Sequence, residues 1–282
     1  RSDPVSACGS GNAGEHCTGF AREEEGVMIW NSRFFLVFAL AIIVAGHADA
    51  GQVSHAKHYT LGLGGLKVAS MPPSNAKGFV LRQYHVFYNA DKRKDNSGRT
   101  AAGDFDVSVY AFVNRITYSS DIKILGGNLL FDAIIPISHT DMSLKMGGAT
   151  LADIDRIGLG DISVTPFTIG WHGERWDATI GASIYLPTGG FDRNRAVNAG
   201  KGFYTFMYTT GATFYFDREK RFHFSIQSRY EDHLKQKETH VRFGDDFQFE
   251  WGLGGTVGKY FEAGVSGYWH RQVTKDSGKN AS

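Results

Sequence analysis

Cysteine is nearly absent from this chain of 282 residues: Cys8 and Cys17 are the only two, and both lie close to the N-terminus. The body therefore has no thiol, which excludes thiolate catalysis and thiolate metal sites there. A disulfide between the two would concern the upstream segment alone. Charge of one sign is also lacking, since 30 Lys and Arg balance 29 Asp and Glu to a net +1. Bulk charge gives no reason to expect nucleic acid as a partner. Long hydrophobic runs are missing as well. The longest, at 34–44, is shorter than the ~18–20 residues that a membrane-spanning helix needs. No segment carries the i, i+3, i+4 apolar spacing of a long amphipathic helix. Proline is scarce, with 6 residues, whereas glycine is plentiful, with 35. That is roughly 12 % glycine against a usual ~7 %, which fits β-structure with tight turns and crowded walls. A mean hydropathy of −0.26 resembles that of a soluble protein. It is equally that of a β-barrel, whose strands spend only every second residue on lipid.

The chain divides into four parts by composition. Residues 1–27 are polar, lack periodicity and read as disordered or non-native. Residues 28–50 have the layout of a signal peptide, with Arg33, an apolar core at 34–44 and Ala48-Asp49-Ala50 as the cleavage site. Cleavage near Ala50 predicts an exported protein. Residues 51–78 are glycine-rich, with a breaker at Pro72-Pro73, and form a periplasmic lead-in or a segment folding into a lumen. Residues 79–282 contain a series of about nine strands, at 79–88, 105–118, 122–137, 157–171, 175–186, 203–216, 222–232, 247–258 and 260–273.

The strands alternate sharply. From Trp176 to Leu186 the apolar face holds Trp176, Ala178, Ile180, Ala182, Ile184 and Leu186, while Asp177, Thr179, Gly181, Ser183 and Tyr185 form the other. From Phe222 onward, Phe222, Phe224, Ile226 and Tyr230 oppose His223, Ser225, Gln227, Arg229 and Glu231. Successive strand side chains point to opposite faces, so such a strand suits a wall between lipid and water. The links alternate too. Long ones are expected at 89–104, 138–156, 187–202 and 233–246, and short ones at 119–121, 172–174, 217–221 and near Lys259. An up-and-down outer-membrane barrel sorts its connections in this way, with short periplasmic turns and long outer loops. A Greek-key sandwich has no reason to. Aromatic residues gather near strand ends, among them Tyr88, Tyr118, Trp171, Trp176, Tyr204, Phe216, Phe222, Phe247, Trp251, Tyr260 and Trp269. Amphipathic rings settle at the membrane boundary, so this pattern predicts an aromatic girdle.

Several short motifs occur in order: Gly158-Leu159-Gly160-Asp161 followed by Pro166, Gly170 and Trp171; Leu186-Pro187-Thr188-Gly189-Gly190-Phe191-Asp192; Asn198-Ala199-Gly200-Lys201-Gly202; and Asp276-Ser277-Gly278. From about Tyr59 to the C-terminus the chain resembles the exported proteins named for the meta-pathway of phenol degradation. The resemblance implies an outer-membrane barrel of a Gram-negative bacterium and a channel for passive uptake of small hydrophobic or aromatic compounds, linked to aromatic degradation. Members of that family continue beyond the Asp-Ser-Gly motif with further strands. About nine strands is an odd number, whereas single-chain bacterial barrels use an even one. The expectation is thus a C-terminally truncated barrel, about nine of roughly twelve strands, seen as an open, curved sheet. Its partners on this reading are outer-membrane lipids, small hydrophobic or aromatic solutes and, during biogenesis, the barrel-assembly machinery.

Candidate chemistry is thin. His223 and Ser225 share a strand face and resemble the His-x-Ser pair of outer-membrane phospholipases, which carry it on the lipid side. Here Phe222, Phe224 and Ile226 claim that side, so the pair is expected to face the lumen. A serine nucleophile also needs a base in reach and an orienting third group, and no motif supplies them. His55 and His58 stand three apart without a further ligand, so no metal is assigned. Gly126-Gly127 and Gly254-Gly255 are expected inside strands and do not make a phosphate loop. No cofactor is expected, and no enzymatic step. What remains is a ladder of inward polar residues, the candidates for a solute path: Asp177, Thr179, Tyr185, Thr205, Thr209, Thr213, Gln227, Arg229, Glu231, Gln248 and Glu250. Such residues either set pore electrostatics or cross-link a small barrel, with Arg229 and Glu231 or Glu250 as a possible ion pair. The rival functions are a structural or adhesive barrel without transport and an outer-membrane lipid hydrolase.

Overall fold

Alternation of apolar and polar residues places one face of each strand in lipid, where no water is available to hydrogen-bond the backbone. Each strand must then satisfy its N–H and C=O groups on its neighbours, and an antiparallel meander does this with the shortest links. A computed structural model describes residues 56–92, 99–195, 197–258 and 261–278. The upstream segment 1–27, the signal peptide 28–50, His55, Lys259 and Tyr260 lie outside the described residues.

Among these residues there is no helix. The strands are β1 (Gly78–Ala90), β2 (Asp104–Ile124), β3 (Gly127–Met146), β4 (Ala149–Leu159), β5 (Ile162–His172) and β6 (Trp176–Leu186). They continue with β7 (Thr205–Tyr215), β8 (Phe222–His233), β9 (Val241–Arg242), β10 (Asp246–Val257), β11 (Phe261–Gln272) and β12 (Ser277–Gly278). The main sheet runs β1-β2-β3-β5-β6-β7-β8-β10-β11, every pair antiparallel, with β4 also on β3. β4 and β5 are one broken strand: Ile137–Met146 of β3 pairs with β4, and Asn128–Ile134 pairs with β5. The break is at Gly160-Asp161. Counted in this way the wall has nine strands, and it curls into an open half-barrel with β1 and β11 at its edges.

Three expectations about connections are corrected. The stretch 138–156 is no loop, because β3 and β4 extend through it as a hairpin closed by Gly147 and Gly148 at φ 57° and 81°. Positive φ at both positions defines the turn whose twist matches the flanking strands, and glycine adopts it without strain. Residues 119–121 are not a turn either. β2 runs on to Ile124, and the reversal falls at Leu125-Gly126, so that Gly126 is a turn residue and only Gly127 is in a strand. Alternation read from sequence cannot mark where a long polar hairpin leaves the membrane, since strand pairing continues in water. The remaining links, 91–103, 187–204 and 234–245 at one end and 173–175, 216–221 and 258–260 at the other, keep the long and short sorting.

The outward face carries Phe79, Phe87, Ile157, Trp176, Ile180, Tyr208, Phe214 and Phe261, all well exposed. Tyr118, Tyr204, Phe216, Phe222 and Trp269 are exposed near strand ends, where a girdle belongs, whereas Tyr88, expected there too, alternates with Phe87 and so shares the inward face of Tyr84. The inward face is polar and buried, with Ser163, Thr205, Thr213, His223, Ser225, Glu231, His233 and Gln248 almost without solvent contact.

The turn between β7 and β8 shows how one residue closes a hairpin. Asp217 accepts N–H bonds from Arg221 (2.9 Å) and Phe222 (2.8 Å) and pairs with Arg221 Nε (2.9 Å). These bonds, that from Phe222 foremost, hold its carboxyl below the ordinary 3.8. A depressed carboxyl stabilises the fold above its unfolded pKa and loses that contribution as pH falls through the lower, folded value. The protection factor of the Phe222 amide, measured against its intrinsic exchange rate, should therefore fall only below about pH 4 in the wild type. In Asp217→Ala it should be low already at neutral pH, and equal protection in the two proteins would refute this role.

Candidate functional site

Residues 56–77 do not trail away from the sheet but lie along its concave face, tied to inward side chains. Glu231 on β8 accepts the backbone N–H of His58 (2.7 Å) and of Tyr59 (3.1 Å). Glu250 on β10 accepts the N–H of Gly62 (2.6 Å) and the Tyr59 hydroxyl (2.8 Å). Ser225 accepts the N–H of Ala69 (3.0 Å), Ser119 donates to the Ala76 carbonyl and Asn128 to the Ser74 carbonyl. Lys67 pairs with Glu262 at 2.8 Å. Backbone without secondary structure survives at membrane depth only where wall side chains satisfy it, and these bonds do so. Residues 56–77, the described part of 51–78, thus lie against the inward side chains of the sheet.

The wall opposite this segment is thinned to admit it. A Cβ at position 252 would collide with the Leu66 carbonyl, and one at Gly211 would come within 2.8 Å of Ala69 Cβ. Gly252→Ala is thus expected to push the segment off β10 while leaving the sheet itself paired. Limited proteolysis of the reconstituted protein should then cut within 56–77, whereas protection equal to wild type would show that the close approach is not required.

The inward ladder is assembled as one network. Arg229 Nη1 bonds Glu250 Oε2 at 2.7 Å with both side chains buried, reaches Gln227 with its other nitrogen, and stacks 3.7 Å from the Tyr59 ring centre. Of the two acids weighed as partners of Arg229, Glu250 is the one paired. Glu231 accepts Gln248 Nε2 (2.9 Å) instead. Thr205 Oγ1 and His233 Nδ1 are 2.8 Å apart, and His233 Nε2 and His270 Nε2 both reach Asp246 (3.0 and 2.8 Å). Asp177 sits at the short-turn end, accepting from the Tyr215 hydroxyl (2.7 Å), His172 (3.0 Å) and Lys220 (3.3 Å). Thr179, Tyr185, Thr209, Gln227 and Arg229 line a cavity of about 380 Å³ between the segment and the wall. Tyr59, Tyr84, Met71 and Met207 also face it.

The short motifs around Asp161, Gly189, Asn198 and Asp276 build the loop end of this lumen, while Gly170 and Trp171 lie at the short-turn end. Asp161, at the break between β4 and β5, accepts from Gly189 N (2.9 Å), Lys201 N (2.7 Å) and His58 Nε2 (3.0 Å), joining three separate stretches. Gly189 packs against the backbone of Gly200, which leaves no room for a Cβ on either, and Thr188 Oγ1 caps Ile162 N. Asn198 bonds the backbone of Asp192 on both sides. Pro166 occupies the register shift between β5 and β6, Gly170 packs on Met71, and Trp171 donates to the Leu125 carbonyl. Asp276 accepts from Gly244 N, and Ser277 and Gly278 pair with Arg242 and Val241. Gly160 precedes Asp161 in the chain, and its carbonyl accepts from the hydroxyl of Thr188, the residue after Pro187 (3.3 Å).

His223 and Ser225 are buried inward, as expected, and do not bond each other: Ser225 Oγ contacts Thr213 Oγ1 (2.8 Å), and neither His223 nitrogen has a hydrogen-bond partner. A residue that sequence reasoning passed over is His58. Its side chain is 3 % exposed, and its ring stacks on Tyr185 at 4.7 Å. The sequence offered His58 only with His55. Its actual neighbours come from strands more than a hundred residues away.

An antiparallel meander with a lipid-facing outer surface, an inward polar ladder and a lumen segment defines a β-barrel protein of the outer-membrane type. Residues 90–282 match the family described as "Putative MetA-pathway of phenol degradation", and the chain belongs to that family. Its fold is similar to that of an outer membrane channel from Pseudomonas putida F1 known from a crystal structure. The two agree with a TM-score of 0.53 at 13 % identity, over 67 % of this chain and 69 % of that one. No curated protein sequence matches the chain.

Proposed function

We propose that the protein is a passive outer-membrane channel for small hydrophobic or aromatic compounds, embedded in outer-membrane lipid after export. The carrying observation is the 380 Å³ cavity beside the lumen segment, lined by both rings and cations: Tyr59, Tyr84 and Tyr185 with Met71, Arg82 and Arg229. A cavity of ~150 Å³ already holds benzene, so a single substituted ring fits. Rings and thioethers give a mobile aromatic solute apolar contact, while the polar groups offer exchangeable hydrogen bonds. The family description and the channel fold of the structural relative support the same reading, and neither requires covalent chemistry.

One observation favours a second reading. The bonds of Glu231 and Glu250 to the segment close part of the lumen, as a barrel without transport would. Flux through the protein reconstituted in liposomes decides between the two. Phenol- and toluate-like compounds should cross faster than sugars of similar size. A folded barrel that passes no solute would leave the structural role.

A further inference from the structure

The cluster around His58 has the make-up of a metal site. One ligand atom each from His58, Glu231 and His233 lies within 4.8 Å of the other two. Glu231 and His233 are two apart on β8 and so share its inward face, and His58 arrives from the lumen segment. Glu231 and His233 have no solvent contact. His58 adds a second and independent sign, because its Nδ1 is buried with no hydrogen-bond partner while Nε2 is held by Asp161 Oδ2. A buried polar atom without a partner is costly and uncommon. With the proton fixed on Nε2 by Asp161, Nδ1 presents its lone pair. His233 is prepared in a similar way: Asp246 holds Nε2, so that Nδ1, now against the neutral Thr205 hydroxyl, is the nitrogen free to change partner. Carboxylates behind two imidazoles are the usual outer layer of a histidine metal site.

We propose that His58, Glu231 and His233 bind a divalent transition-metal cation of the zinc type, and that the bound ion staples the lumen segment to β8. Two imidazoles and a carboxylate are a recognised ligand set for zinc, with a further position left for water. Around the cluster, Glu231, Asp161 and Asp246 contribute three negative charges against Lys57 and Lys201, so a dication is favoured. The cavity lined by His58 and Asp161 gives it a route in. Tetrahedral ligands at ~2.0–2.1 Å from zinc stand roughly 3.3 Å apart. The three atoms must therefore draw together, and His58, on a segment without secondary structure, is the one able to move.

The test is cobalt(II) titration of the metal-stripped, tag-free protein folded in detergent micelles, read by visible absorbance. The expected result is an intense ligand-field band saturating at one equivalent, displaced by zinc and lost in His58→Ala and in His233→Ala. Folding of each variant is checked by its heat-dependent gel mobility. Should His233→Ala not fold, His58→Ala decides alone, since that residue lies outside the sheet. In wild type, zinc should also protect residues 56–77 from protease. No band from folded wild type, or a band that persists in His58→Ala, would overturn the proposal. Neither readout involves flux, so the outcome is separate from that of the channel reading.

Discussion

Glu250→Ala is expected to destabilise the protein by about 3–5 kcal/mol, the cost of leaving one member of a buried ion pair alone. Arg229 would remain beneath the Tyr59 ring, its side chain 7 % exposed, without its carboxylate. Two further donors, Gly62 N and the Tyr59 hydroxyl, would lose their acceptor. Thermal unfolding in micelles, followed by gel mobility, reads the effect. The double variant Arg229→Met with Glu250→Leu separates the two consequences. Apolar replacement of a whole buried pair is often neutral, so strand stability should return in the double variant. Docking at Gly62 and the Tyr59 hydroxyl should not return, since their acceptor is not restored, while His58 N and Tyr59 N stay on Glu231. A small loss in Glu250→Ala would mean that water reaches Arg229 and that the pair is not closed.

The wall was legible and the lumen was not, for a physical reason. Strand period is a local property: Asp177, Thr179, Tyr185, Thr205, Thr209, Gln227, Arg229, Glu231 and Glu250 could all be assigned to the inward face from their apolar neighbours alone, and their burial pattern agrees. Which of them touch depends on register between strands, and register is set by turns whose positions the alternation does not mark. The Arg229 partner illustrates this, because β8 and β10 pair Gln248 opposite Arg229 and put Glu250 one step along the same face. Strand ends were misjudged where β3 and β4 continue as a hairpin to Met146 and Ala149, because alternation persists after lipid ends. Least legible was residues 56–77, which have no period. Their place is fixed by backbone N–H groups seeking Glu231, Glu250 and Ser225, and a backbone donor leaves no trace in the sequence. The motif residues around Asp161 were recognisable as a set, yet their common task, joining His58, Gly189 and Lys201 to one carboxylate, appears only once the chain is folded.

Deleting residues 56–77 should give the largest gain in flux of any change to this protein. Three backbone N–H groups of the segment donate to two buried carboxylates, and hydrogen bonds to charged groups are worth about 1.5–3 kcal/mol each. If undocking of the segment limits passage, the loss of a single such bond raises the undocked population about 10- to 100-fold, and deletion removes the equilibrium altogether. Glu231→Gln offers a graded version. It keeps an acceptor oxygen for one N–H but loses the charge, so its flux should fall between wild type and deletion. Liposome assays with a phenol-like solute and a sugar give the reading. Flux of both should rise on deletion, and the preference for the aromatic should shrink, because Tyr59 and Met71 leave the cavity wall with the segment. An unchanged flux would place the barrier elsewhere, at the loops joined through Asp161. A fall in aromatic flux alone would show that the segment is part of the solute path and not its gate.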